Sequence, residues 1–87
     1  MKNNTKKYKI EDYLLGLNVK EYRKALKKLP QLLGISVNTF HNYRRIQSDD
    51  VQDIPYGKVV MMEKIFDLRP GTLMNYDPEV KRLKDIL

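Results

Sequence analysis

Cysteine is absent from this chain, which excludes disulfides and any cysteine-based zinc site and suits a reducing cytoplasm, the expected location. Long hydrophobic runs are absent too. The longest, such as residues 59–62, reach four residues, so neither a membrane-spanning helix nor a signal-peptide core fits. The four glycines, Gly16, Gly34, Gly57 and Gly71, stand alone and form no phosphate-cradling loop. Histidine occurs once, at His41. Ser36 lies about 140° away from it around one helix, so the two cannot act as nucleophile and base there. Asp49 and Asp50 are adjacent, but no His or Cys lies near them. Turn and cap roles account for acids in such a loop better than a metal does. No motif places a pair of carboxylates across a cleft. Catalysis, metal and cofactor therefore drop out of the expectations.

Acids are scarce in one half only. Residues 1–45 carry eight Lys and three Arg against Glu11, Asp12 and Glu21, a balance of +8. Residues 46–87 carry six cations against eight acids, a balance of −2. That asymmetry is expected of a protein presenting one face to phosphates. Anionic lipid fits less well, because no basic stretch is coupled to a strongly apolar exposed face. Eighty-seven residues suffice for one domain with a modest core, and 41% hydrophobic against 32% charged residues describes a globular chain rather than a disordered one.

Residues 1–8 are polar, basic and without periodicity, and read as a flexible arm that can follow a backbone or remain inert. A first helix is expected over 9–15, with Ile10, Tyr13 and Leu14 inward, ending at Gly16. Asn18 and Glu21 form a capping-box pair for the next helix. Val19, Tyr22, Leu26, Leu29 and Leu33 follow at helical spacing. Pro30 interrupts that run, and a break with a short helix starting at Pro30 is predicted. Lys20, Arg23, Lys24, Lys27 and Lys28 populate the remaining surface. Lys24, Lys27 and Lys28 are candidates for phosphate contact, although a solvated face is the ordinary reading of such lysines.

The stretch 33–45, L-G-I-S-V-N-T-F-H-N-Y-R-R, is the informative one. Gly34 can take the left-handed conformation that ends a helix, and Ser36 can cap the next. On a helix over 36–46, Val37, Phe40, Tyr43 and the stem of Arg44 share one side, taking about 100° per residue. Asn38, Asn42 and Arg45 share the other, flanked by Thr39 and His41. Solvated faces are usually rich in Lys and Glu. This one has two Asn, a Thr, a His and an Arg, and no acid. Asn can bond adenine in pairs, Arg guanine, and a Thr methyl can touch thymine.

The run G34-I-S-x-x-T-F-H-N-Y-R resembles the phage repressor and Cro-type (lambda repressor-like) helix-turn-helix family. The downstream D53-I-P-Y…V-V-M-M-E-K-I-F…P-G-T-L is similar to that family's fourth and fifth helices. The resemblance covers about residues 10–75. Pro30 stands where the family usually has a small residue, and Arg44 where many members have an acid. The resemblance implies a compact all-α DNA-binding domain. With the reading of the chain it gives a bundle of about five short helices containing a helix-turn-helix over 9–76, and a C-terminal helix over 77–87 that lies outside the resemblance.

Further helices are expected over 56–68, with Val59, Met62, Ile65 and Phe66 buried, and from Pro70 with Leu73 and Met74. In the last helix, which opens at Asp77-Pro78-Glu79, Val80, Leu83 and Leu87 share a stripe with Ile86 beside it. That stripe closes the core or pairs two copies of the chain. The leading expectation is a sequence-specific double-stranded DNA-binding regulator, a small repressor or antitoxin-like protein. Base contacts are expected from Asn38, Thr39, His41, Asn42 and Arg45, and phosphate contacts from Ser36, Lys24, Lys27, Lys28 and Arg44. The rival is a helical adaptor binding another protein through the same surface. Single-stranded RNA is weaker, for want of an exposed aromatic platform.

Overall fold

Side-chain caps open the helices that start at Val19 and Val37, where Asn18 and Ser36 accept from N–H groups of the first turn. The computed structural model describes residues 5–75 and 78–87. Five helices and no strands are present among them: α1 (Ile10–Leu15), α2 (Val19–Leu33), α3 (Val37–Arg45), α4 (Tyr56–Ile65) and α5 (Leu83–Ile86). None is long and apolar enough to cross a membrane. The first four surround one core, in which Ile10, Leu14, Leu33, Phe40, Met62 and Leu73 are fully enclosed. Tyr13 stacks on Phe66 at its edge, with ring centroids 5.2 Å apart.

The entry to α2 is the reciprocal cap expected of its sequence. Asn18 Oδ1 accepts from the Glu21 N–H at 2.8 Å, and Glu21 Oε1 accepts from the Asn18 N–H at 3.2 Å. Its exit satisfies the last carbonyls through two bonds, Gly34 N–H to Gln31 O and Ile35 N–H to Pro30 O. Between them the helix runs unbroken through Pro30, which corrects the expected break. A proline there removes only the bond to the Leu26 carbonyl. Its ring is buried in the core, and the helix ends three residues later.

The N-terminal segment departs from the expected arm. Residues 1–4 lie outside the described residues, but residues 5–9 are threaded between two distant stretches. Lys7 N–H bonds to Ile46 O, Ser48 N–H to Thr5 O, Lys9 N–H to Leu73 O and Asn75 N–H to Lys7 O. Isolated antiparallel bridges join Lys6 to Gln47 and Tyr8 to Met74. Lys7 and Tyr8 are buried. The Lys7 ammonium donates to Asp50 O at 2.7 Å, Gln52 O at 2.8 Å and Asp53 Oδ1 at 2.9 Å, which uses its three donors. The Tyr8 hydroxyl accepts from the buried Ile54 N–H at 3.0 Å. Residues 46–54, a polar connection in sequence, are thus folded around this lysine and tyrosine.

The second half also differs from expectation. α4 stops at Ile65, short of residue 68, and Asp67 takes a positive φ of 57°. No helix starts at Pro70. The chain turns through Gly71 at φ +87° and returns Leu73 to the core. Glu63 is buried and holds that turn, its Oε2 accepting from Gly71 N–H at 2.8 Å and Leu73 N–H at 3.2 Å. Glu63→Ala orphans the enclosed Leu73 N–H and is expected to cost about 1–3 kcal/mol in urea unfolding.

The helix expected over 77–87 is reduced to Leu83–Ile86, and its proposed start at Asp77 lies outside the described residues. Residues 78–87 are all exposed, so they do not close the core. The molecule is accordingly somewhat extended. Its radius of gyration is 14.8 Å, against about 12 Å for a compact chain of this length.

Candidate nucleic-acid interface

Gly34 sits at φ +67°, the left-handed conformation that the turn between α2 and α3 requires. A Cβ there would meet only the Lys58 Nζ, at 3.8 Å, so the constraint is conformational rather than steric. Lys58 donates to the last α2 carbonyl, Leu33 O, at 2.6 Å and ties α4 to the turn. Such a cation also suits the negative end of the helix dipole. Ser36 Oγ then accepts from the Thr39 N–H at 3.0 Å and opens α3.

The two faces of α3 separate largely as their spacing dictates. Phe40 is wholly buried and Tyr43 partly so, while Asn38, Asn42 and Arg45 are exposed on the other side. The side chains of these three make no hydrogen bond among the described residues, so their polar groups are turned to solvent. Val37 departs from the expected inward set, at 53% exposed. As the first residue of α3 it precedes the turn that Phe40 drives into the core.

Arg44 and His41 are not part of the free face. The Arg44 guanidinium donates through Nε to Glu11 of α1, through Nη2 to the Tyr22 hydroxyl of α2 at 2.9 Å, and through Nη1 to His41 Nδ1 at 2.8 Å. The hydrogen bond to Glu11 outweighs the opposing effect of burial and raises the Arg44 pKa above its ordinary value. Because a guanidinium can only donate, His41 accepts at Nδ1 and carries its proton on Nε2. Arg44, expected to contact phosphate, instead commits three of its five N–H groups to a clamp that seats α3 on α1 and α2. His41 keeps one ring nitrogen for a ligand. Ser36 is also engaged. Its hydroxyl donates to Thr39 Oγ1 at 2.9 Å, leaving Thr39 its own hydroxyl proton and methyl.

Lys24, Lys27 and Lys28 are exposed on α2, as are Lys20 and Arg23, and α2 packs directly against α3. A shallow polar depression of about 240 Å³ lies at the end of α3, lined by Asn42, Arg45, Ile46, Asp50 and Gln52. Asp50 and Gln52 carry no signal in the sequence that would assign them to this surface. They arrive because Lys7 holds their carbonyls. Arg45, Asn42 and Gln52 bring donors to this region, and Asp50 brings a carboxylate whose Oδ2 already accepts from the Gln47 N–H at 2.8 Å. That mixture suits the edge of a base, which presents donors and acceptors side by side, better than it suits a phosphate. No group of three or more metal-ligating side chains lies together among the described residues.

Comparison with family models, with curated proteins and with solved structures finds no match to this chain.

Proposed function

We propose that the protein is a sequence-specific double-stranded DNA-binding transcriptional regulator, a small repressor or antitoxin-like protein of the helix-turn-helix kind, working in the cytoplasm. It reads the major groove with α3. The carrying observation is that Asn38, Asn42 and Arg45 stand exposed and unengaged on one side of a capped helix whose opposite side is anchored in the core. The exposed cations of α2 supply sequence-independent attraction to phosphates. Two copies act together, since one such module covers only about 600–1,000 Å² of DNA-contacting surface. The C-terminal Val80, Leu83 and Leu87 help to pair them.

The adaptor reading draws on Leu32 and Val37, apolar side chains left exposed on either side of the turn. Salt separates the two, because phosphate contacts make duplex affinity fall steeply as salt rises. Selection of bound sequences from random duplexes supplies the preferred site. Asn42→Ala is then expected to cost about 1–3 kcal/mol on that site and little on scrambled duplex. Lys27→Ala is expected to weaken both alike and flatten the salt slope. Asn38→Ala, Asn42→Ala and Arg45→Ala should leave thermal unfolding nearly unchanged, because their side chains already face water. Equal losses for Asn42→Ala on both duplexes would remove sequence reading, and no duplex binding even at low salt would favour the adaptor.

A further inference from the structure

Two of the apolar surfaces left uncovered among the described residues bear on the pairing of copies. One is a groove of about 430 Å³ at the junction of α1 and α2, lined by Leu15, Leu17, Val19, Tyr22 and Arg23. Leu15 and Val19 in its wall are 70% and 69% exposed. The other is the C-terminal segment, where Val80, Leu83, Ile86 and Leu87 are 63–93% exposed. The four-residue α5 is far shorter than a helix that is stable by itself in water, so it needs a surface to lie on.

We infer that the C-terminal segment of one copy lies in the α1–α2 groove of a second copy, and that the exchange is reciprocal about a two-fold axis. This deepens the pairing of copies in the proposed function and rests on it. The area is sufficient. A compact chain of 10.3 kDa presents about 5,400 Å² to solvent, and this one presents 6903 Å². Two copies thus hold about 3,000 Å² of surplus surface between them, within the range that permanent homodimers bury. Pairing two tails with each other would leave both grooves open, whereas exchange covers all four surfaces and closes without propagating. Apolar side chains at helical spacing entering an apolar groove is an established mode of recognition.

The absence of cysteine permits a direct test. Full-length Val19→Cys and Leu83→Cys variants, both at exposed positions, are mixed and mildly oxidised, and covalent mass is measured alongside a sedimentation series of the parent chain. The expected result is a dimeric parent and a mixed disulfide joining residue 19 of one copy to residue 83 of the other. Little cross-linking of either variant alone is expected. Leu17→Glu and Leu83→Glu should each weaken the dimer about 100-fold or more, since each places an unpaired charge in the contact. Far-UV circular dichroism verifies that both still fold. A monomeric parent at every concentration overturns the inference, as does cross-linking of Leu83→Cys to itself. A Val19→Cys/Leu83→Cys double variant that closes only within one chain also overturns it. None of these readouts involves DNA, so failure here and failure of duplex binding are told apart.

Discussion

Phe40→Ala is expected to lose about 3–5 kcal/mol of unfolding free energy, the range for truncating a buried phenylalanine. Phe40 is the wholly enclosed side chain of α3, and it sits in one cluster with residues of α1, α2 and α4. Removing its ring leaves a cavity that those backbones cannot fill, because each is fixed by a cap or a tertiary bond. Domains have only about 5–15 kcal/mol in total, so a measurable unfolded fraction is expected at ambient temperature. Urea unfolding followed by circular dichroism measures the loss. Asn38→Ala, two residues earlier on the opposite face, is the control and should stay within about 0.5 kcal/mol. A loss below about 1 kcal/mol for Phe40→Ala would mean that α3 is not seated on the core, and the division of its faces would fail with it.

Lys7→Met is the second large effect, expected at about 3 kcal/mol. Methionine keeps an unbranched stem and loses all three donors. The carbonyls of Asp50 and Gln52 lose a charged partner, and such bonds contribute about 1.5–3 kcal/mol each when made. Asp53 moderates the loss, because its side chain is 62% exposed and can be rehydrated. The consequence extends beyond stability. Residues 46–54 place Gln52 and Asp50 beside Asn42 and Arg45, so on the proposed function releasing them should erode duplex preference while α3 remains folded. Hydrogen exchange at the Lys7 and Lys9 amides, which bond to Ile46 and Leu73, should accelerate markedly. Lys20→Met, on the exposed face of α2, should be nearly silent.

The parts of this protein that its sequence alone determined are those set by neighbours three or four residues apart. The Asn18–Glu21 cap, the left-handed Gly34, the Ser36 cap and the opposition of Phe40 to Asn38, Asn42 and Arg45 all depend on local geometry. A helix repeats its faces every few residues, so a short window contains that information. All-helical architecture follows from the same periodicity. Tertiary structure decided what distant residues do to one another. Lys7 reads as part of a flexible arm until residues 50–53 close around it, and Arg44 reads as a phosphate ligand until Glu11, Tyr22 and His41 take three of its five N–H groups. Pro30 reads as a break until the core covers its ring, and nothing local marks Glu63 until the turn at Gly71 brings two N–H groups to it. The C-terminal stripe reads as a complete helix, yet an apolar stripe forms a stable helix only where a surface receives it. The reversals at Lys7, Pro30, Arg44 and Glu63 share one cause. A polar or interrupting residue is tolerated inside when its hydrogen bonds or its packing are supplied from elsewhere in the chain, and only the folded arrangement specifies that supply.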